Sequence, residues 1–236
     1  PAGIKKSGRV IQDYVNFTDL TPTFLELAQI DQKKSGMQAI SGRSLSDILY
    51  SSKEGQVNPK RDHVLVGMER HDVGRPNDVG YPIRGIIKDN LLFLQNYEPD
   101  RWPACNPETG YLNCDAGAIK SWILENRTSL ESKKFWSLAF GKRPGEELYD
   151  LKKDQDCLVN LASAQSLEKQ KLALKQQMEK ELKEQGDPRM FGKGKIFDEY
   201  IYADEKTRNF YERYMKGEKI KAGWVKDSDF EKGPVE

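Results

Sequence analysis

The sequence lacks the features that would place it in several large classes of protein. No apolar run approaches the ~18 residues that a membrane-spanning helix needs, and the richest stretch, residues 83–94, is interrupted by Arg84, Lys88, Asp89 and Asn90. The 38 Lys and Arg residues are balanced by 37 Asp and Glu residues, so the chain has no overall basic field. We therefore expect no membrane span and no nucleic-acid partner.

Cysteine and histidine are also scarce. Three cysteines cannot make a disulfide framework, although Cys105 and Cys114 share one loop and are spaced to allow a local bridge, which would leave Cys157 unpaired. With only two histidines, His63 and His71, and no paired Cys spacing, we expect no metal site within this chain.

What is present indicates a folded chain with a sizeable core. Its 236 residues are 37% hydrophobic and 32% charged, and they include 9 Phe, 4 Trp and 10 Tyr, too many aromatic residues for a disordered polymer. At roughly 150 residues per domain, this length corresponds to between one and two domains.

The first third of the sequence predicts short helices. Thr21 is a candidate N-cap with Pro22 at the first helical position, and Phe24, Leu25, Leu27 and Ala28 would give that helix one apolar side. A further one or two helical turns are predicted around residues 45–49.

The middle of the sequence predicts an antiparallel sheet. Apolar and β-branched runs at residues 64–66, 81–87, 91–97 and 147–151 are typical of strands, and residues 88–90 form a hairpin turn between the second and third. A long excursion, residues 98–144, precedes the fourth strand and is expected to be partly helical over 119–138. The fold class is therefore α/β, or α+β for this portion.

The clearest helix is predicted over residues 166–185. Leu167, Leu174, Met178 and Leu182 line one side of it, and Gly186 and Pro188 stop it. We expect this helix to lie on one face of the sheet. The last 50 residues, 187–236, are rich in aromatic side chains and are expected to wrap over another surface.

The segment of residues 68–84 concentrates Arg, His and carboxylate side chains between two strands. Guanidinium groups form bidentate hydrogen bonds with tetrahedral oxyanions, and a histidine such as His71 can donate to the same oxygens or to a sugar hydroxyl. One interpretation is therefore an anion-recognising loop; the other, of about equal weight, is a hairpin whose charges pair among themselves. Similarly, Trp102 is either a stacking platform for a sugar ring or, more commonly, part of a core.

Three segments in order resemble the C-terminal half of a type I, formylglycine-dependent sulfatase of the alkaline phosphatase-like superfamily. PAGIK at residues 1–5 followed by VNFTDLTPTFLELA at 15–28 is similar to one family segment, and GRSL at 42–45 to another. ELYDL at 147–151, followed by Asp154 and by NLA at 160–162, is similar to the family's terminal signature. Here Gln155 stands in place of a Pro and Cys157 in place of a Glu.

Within that family, residues 70–73, 81–84 and 96–102 are most similar to the heparan N-sulfatase (sulfamidase) group. Cys105 and Pro107 also match the first and third positions of the family's Cys-x-Pro-x-Arg nucleophile motif, but Thr109 stands at the Arg position, so we read that match as coincidence. The resemblance covers about residues 1–185. It implies three segments: 1–52 as the end of the large α/β sulfatase domain, 53–186 as an antiparallel-sheet subdomain with a long helix, and 187–236 as an extension.

The resemblance also implies a division of roles. The formylglycine, the ligands of a calcium ion and the acid catalyst would lie upstream in an N-terminal half, so this chain alone would be inactive and would hold neither cofactor nor metal. The substrate would be a sulfated carbohydrate, with His71, Asp72, Arg75 and Arg101 as substrate-binding residues and Arg84 as a structural one. The expected location is extracytoplasmic: periplasmic or secreted in a bacterium, lysosomal in an animal.

Several alternatives stay open at this stage. The first residues show no targeting segment, so either the mature protein starts here or an upstream part is missing. A phosphodiesterase or phosphonate hydrolase of the same superfamily would share the scaffold, and a stand-alone glycan-binding module would need no upstream half. The position of the sulfate, exo or endo action, and the presence of a homo-oligomer are not determined.

Overall fold

The computed structural model describes residues 3–233, so Pro1 and Ala2, which open the first family-like segment, lie outside the described residues, as do 234–236. Its central element is a four-stranded sheet in the order β1 (His63–Met68), β2 (Ile83–Lys88), β3 (Leu91–Asn96) and β4 (Glu146–Asp150). All three pairings are antiparallel, which confirms the predicted sheet.

The hairpin between β2 and β3 follows from its two turn residues. Lys88 pairs with Leu91, which leaves Asp89 and Asn90 as a two-residue loop with φ of 50° and 62°. Two positive φ values in succession define a type I′ turn, whose twist matches that of the strands it joins, and Asn and Asp tolerate this conformation.

Helix α5 (Glu168–Glu184) covers one face of the sheet, as predicted. Leu174, Met178 and Leu182 recur every fourth residue and are buried against the β2 and β3 residues Ile86 and Phe93. Because strand side chains alternate between faces, the neighbours of Phe93 point to the opposite face of the sheet.

The spacing between β4 and Asn160 has a direct structural reason. The Asn160 side-chain oxygen accepts from Leu148 N at 2.9 Å while its Nδ2 donates to Glu146 O at 3.1 Å. Leu161 N also donates to Leu148 O at 2.8 Å. The chain must therefore turn back over residues 151–159, because Asn160 and Leu161 bond β4, the strand that the chain has just left.

Helix α1 (Leu20–Leu27) departs from the prediction at its start. It begins before Thr21 because a 3-10 turn, capped by the Asn16 side chain, leads directly into it. Its apolar side is not buried: Phe24 is 63% and Leu27 48% exposed. The residues that turn inward are Pro22 and Thr23.

Ion pairs of one buried arginine join the turn before α1 to the segment before β1. The Arg61 guanidinium, 2% exposed, contacts Asp19 at 2.9 Å and Asp47, on the short helix α2 (Ser46–Leu49), at 3.2 Å. Gly42 lies so close that a Cβ there would be 2.0 Å from Thr18 O. The family-like segments at 15–28 and 42–45 are therefore one packed unit in which only glycine fits at position 42.

The excursion before β4 contains α3 (Ala118–Glu125) and α4 (Lys133–Ala139), within the range predicted to be partly helical. Trp102 packs edge-on against Trp136, with ring centroids 6.2 Å apart, in a small core of its own. The local bridge considered between Cys105 and Cys114 is not present: both are free thiols, and Cys105 is fully buried with its sulfur donating to Asn113 Oδ1.

The chain after α5 contains α6 (Ile196–Glu199) and α7 (Phe210–Met215) and packs on the chain's own loops. Phe210 is completely buried in a cluster with Val73 and Leu112. Trp224 donates from its indole nitrogen to Leu112 O at 2.9 Å. No helix within residues 3–233 is long and apolar enough to cross a bilayer.

Candidate functional site

The four predicted substrate-binding residues lie in or next to the loop that joins β1 to β2. His71 is exposed at the surface of this loop. Asp72 follows it but is only 8% exposed, and its Oδ1 accepts from Val73 N at 2.8 Å. Burial raises the pKa of the Asp72 carboxyl, an effect that its hydrogen bond to Val73 N and the nearby His71 and Arg75 reduce.

Arg75 lies beneath the loop rather than on its surface. It is 1% exposed, and its guanidinium donates to Trp102 O at 2.7 Å and Pro103 O at 2.6 Å, with a longer bond to Val79 O at 3.4 Å. Burial lowers the pKa of this arginine. The Arg75 guanidinium therefore joins the β1–β2 loop to the excursion of residues 98–144. Its hydrogen-bond donors are already bound to backbone carbonyls.

Arg101 is likewise committed to a partner within the chain. Its NH1 and NH2 groups contact the two carboxylate oxygens of Asp198 at 3.1 and 2.8 Å, and NH1 also donates to Gly80 O at 2.9 Å. Burial acts to raise the pKa of Asp198, but the hydrogen bonds and charge of Arg101 outweigh it and the net shift is downward. The bidentate fork that suits a tetrahedral oxyanion is here bound to a carboxylate.

Arg84, expected to be structural, holds the sheet to the end of α5. Its guanidinium contacts Asp187 at 2.5 Å and Glu69 at 2.5 Å, and Glu69 in turn pairs with Arg189 at 2.6 Å. His63 bonds Asp62 at 2.6 Å and Glu181 at 2.9 Å, and so connects β1 to α5.

Residues of the C-terminal segment complete the surroundings of the β1–β2 loop. Asp78 accepts from Asn209 N at 2.6 Å, and Glu212 accepts from Asn77 N at 2.6 Å. The Arg70 guanidinium lies 5.5 Å from the centre of the Tyr202 ring. Sequence reasoning missed Asp198, Tyr202 and Glu212, and the one signal that pointed to them was the aromatic content of their segment.

The structure therefore brings three of the four predicted residues into one loop and ties the fourth, Arg101, to the same loop through Gly80 O. Of the four, His71 alone is exposed, with Asp72 beside it at the surface margin. The substrate-binding role of all four stays a prediction.

Comparisons with known proteins find likeness only among solved structures. No protein-family model matches this chain, and no curated protein matches it. BT4656, solved "in complex with its substrate D-Glucosamine-2-N, 6-O-disulfate", is 17% identical over 72% of this chain and 24% of its own, with a TM-score of 0.43. BT1596, described as a 2-O GAG sulfatase, is 19% identical with a TM-score of 0.43, over 72% and 25%.

A third structure, from Bacteroides thetaiotaomicron VPI-5482, is 18% identical over 72% of this chain and 25% of its own, with a TM-score of 0.42. This chain thus spans about a quarter of the length of the solved structures that it resembles. A likeness of this degree identifies no activity for the chain.

Proposed function

We propose that this chain is the C-terminal portion of a formylglycine-dependent sulfatase that hydrolyses sulfate esters or sulfamates of sulfated glycans, with heparan-type N-sulfoglucosamine as the substrate class. The observation that carries the proposal is the segment of residues 147–162, whose family-like residues are hydrogen-bonded to one another. Asn160 bonds both Leu148 N and Glu146 O, so the spacing that resembles the family is also the spacing that this fold requires.

The partner that the proposal needs is an N-terminal half of the same protein. The apolar side of α1 and the turn before it support such a partner, because Phe17 is 90%, Phe24 63% and Leu27 48% exposed. Burying a large apolar side chain that is otherwise exposed stabilises a protein by about 1.5–3 kcal/mol. We propose that the large α/β domain packs on this face, and that the intact protein works outside the cytoplasm.

The residues present here do not fit the two cofactors that the family implies. Within residues 3–233 no three His, Cys, Asp or Glu side chains are grouped so as to hold a metal ion. Cys105 is fully buried, and burial raises the pKa of its thiol to about 11. Thr109 Oγ1, where the motif has Arg, donates to Gly74 O at 2.7 Å. We therefore assign calcium and formylglycine to the N-terminal half.

For this chain we propose a part in substrate recognition. The exposed His71 imidazole donates a hydrogen bond to a sulfate or hydroxyl oxygen of the glycan, and Asp72 accepts from a hydroxyl. Besides their predicted contact with substrate, Arg75 and Arg101 position the loop that carries His71, because they donate to Trp102 O, Pro103 O and Gly80 O.

The parent open reading frame tests this proposal. We expect a Cys-x-Pro-x-Arg or Ser-x-Pro-x-Arg motif upstream of residue 1; an upstream region without either would remove the proposal. The metal content of the intact protein distinguishes a sulfatase from the nearest alternative, a phosphodiesterase of the same superfamily. One calcium ion would support sulfate chemistry, and two bridging transition metals would indicate a phosphodiesterase. Retention of this chain alone on heparin, lost in His71→Ala, together with no upstream motif, would identify a glycan-binding module.

A further inference from the structure

An open groove lies in the C-terminal segment, between the end of α7 and the chain that follows it. Its volume is about 1010 Å³, which is at the upper limit of the ~300–1,000 Å³ of most ligand pockets. Its lining begins at Tyr214 and ends at Lys232, and it includes no residue of the β1–β2 loop. A ligand in this groove would therefore be bound by side chains other than His71 and its neighbours.

The local sequence fixes the shape of this groove. Gly217, with φ of 84°, follows the end of α7 and lets the chain turn away from the helix. Trp224 anchors the chain that follows, because its indole nitrogen donates to Leu112 O at 2.9 Å and its own carbonyl accepts from Ala116 N at 2.7 Å. Ala222 between them is only 4% exposed. The walls of the groove are thus held by the fold itself, which lowers the cost of ordering them around a ligand.

The acidic side chains of residues 213–232 are mostly neutralised within the chain. Three of the four acids in this stretch form an ion pair. The pairs are Glu218–Arg213 at 2.6 Å, Asp229–Lys120 at 3.5 Å and Glu231–Arg127 at 2.7 Å. The fourth acid, Asp227, has no such partner within residues 3–233.

The lysines of the groove, in contrast, are unpaired. Four of them line it, all four are exposed, and none forms an ion pair with an acid in the described part of the chain. They are Lys219, Lys221, Lys226 and Lys232. Since only Asp227 opposes them, the groove is a local basic surface in a chain whose net charge is +1. A cleft lined by charges of one sign concentrates ligands of the opposite sign.

The groove also has an apolar side. Tyr214 and Phe230 lie with their ring centroids 5.0 Å apart, and both are partly exposed and line the groove together with Ile220 and Val225. Aromatic and aliphatic surface of this kind packs on apolar parts of a ligand, while a few charged groups fix its position. A molecule that combines negative groups with the C–H faces of sugar rings matches both parts of the lining.

Other polyanions match the groove less well. Acidic and phosphorylated peptides are typically recognised by Arg clusters, and extended peptides by a free strand edge, but the unpaired cations here are all Lys and residues 213–232 contain no strand. Nucleic acid is favoured by a basic field over a whole domain, which a net charge of +1 does not provide. Lysine is a hydrated point charge on a flexible stem, which suits sulfate or carboxylate groups spaced along a glycan.

We propose that this groove binds an anionic polysaccharide, with its sulfate or carboxylate groups at the four lysines and its sugar rings against Tyr214 and Phe230. The proposal goes beyond the function proposed above, because it assigns a glycan contact to the C-terminal segment. Binding here needs neither an upstream half nor sulfate hydrolysis. The two proposals can therefore fail independently of each other.

Calorimetric titration of this chain with a heparin-derived hexasaccharide tests the proposal. We expect saturable binding that weakens about tenfold when the salt concentration is raised from ~50 to ~200 mM, with NMR shifts at the amides of Gly217 and Gly223. Poly-L-glutamate and oligo-deoxythymidylate of matched charge should bind more weakly. No saturable binding at low salt, equal affinity for either of these polymers, or shifts confined to the β1–β2 loop would overturn the proposal.

A matched pair of double variants separates the groove from net charge. Lys221→Gln with Lys226→Gln should lower the affinity for the hexasaccharide about fivefold, the equivalent of two exposed ion contacts, and should leave the unfolding midpoint unchanged. Lys152→Gln with Lys169→Gln removes the same charge at exposed positions outside the groove and should leave the affinity unchanged. Equal losses in both double variants would overturn the proposal, as would binding that is lost in His71→Ala and unchanged in the groove variant.

Discussion

Arg101 and Asp198, 97 residues apart in the sequence, form a bidentate ion pair with NH1–Oδ1 at 3.1 Å and NH2–Oδ2 at 2.8 Å. Asp198 also accepts from Gly80 N at 3.3 Å, on the loop that carries His71. Asp198 therefore joins α6, in the C-terminal segment, both to Arg101 and to the β1–β2 loop. The strength of the Arg101–Asp198 pair decides how rigidly the His71 loop is held.

Removing this pair should loosen the C-terminal segment. We expect Arg101→Ala and Asp198→Ala each to cost about 1–3 kcal/mol of unfolding free energy, and the double variant to cost less than their sum because they share one interaction. Hydrogen exchange should quicken around residues 196–215 in each variant. Full additivity of the two stability losses would contradict a direct interaction between Arg101 and Asp198.

The same pair should weaken in acid. The pKa of Asp198 is lowered in the folded chain. Its contribution to the free energy of unfolding is therefore complete above the unfolded pKa of ~3.9 and is lost as the pH falls through the lower folded value.

Asp62 should show the same dependence on pH, because hydrogen bonds from Lys88 and His63 lower its pKa to about 2. Asp62→Asn should flatten the fall in stability between about pH 4 and pH 2; an unchanged acid profile would contradict this.

Arg75 should contribute more to stability than His71 does. Arg75→Met removes the guanidinium donor from the carbonyls of Trp102, Pro103 and Val79 and is expected to cost about 2–4 kcal/mol of unfolding free energy, measured by urea unfolding. His71→Ala, on the exposed part of the same loop, should change stability by no more than ~0.5 kcal/mol. In the intact protein, His71→Ala should lower kcat/KM for a sulfated glycan about tenfold while the fold is kept. A loss of stability in His71→Ala equal to that in Arg75→Met would remove its proposed role.

The exposed side of α1 offers a test of the proposed N-terminal partner. Phe17→Ser and Phe24→Ser should leave the stability of this chain within about 0.5 kcal/mol, because neither side chain is buried in it. In the intact protein each should cost roughly 1.5–3 kcal/mol, the value of a buried aromatic side chain. Glu125→Ser, at an exposed position of helix α3, serves as a control. No difference between the chain and the intact protein would contradict the proposed packing.

The sequence predicted those parts of the fold whose signals are local. Asp89 and Asn90 suit a tight turn by themselves, and the four-residue repeat of Leu174, Met178 and Leu182 marks the buried side of a helix. The start of α1 was predicted wrongly, because Asn16 caps a preceding turn that the Thr21-Pro22 pattern does not reveal.

The candidate site was less predictable because its contacts are distant in sequence. An Arg-rich loop is typical of anion recognition, but whether a guanidinium is free depends on its partners. Arg75 meets carbonyls of the excursion, and Arg101 meets Asp198, which no spacing within the loop indicates.

The most direct test of the central claim is release of inorganic sulfate by the intact protein incubated with N-sulfoglucosamine, with a phosphate diester as the comparison substrate. The account predicts sulfate release that is lost when the upstream nucleophile residue is replaced and lowered in His71→Ala, with little hydrolysis of the diester. Hydrolysis of the diester without sulfate release, or no hydrolysis of any sulfated glycan fragment by the intact protein, would contradict it.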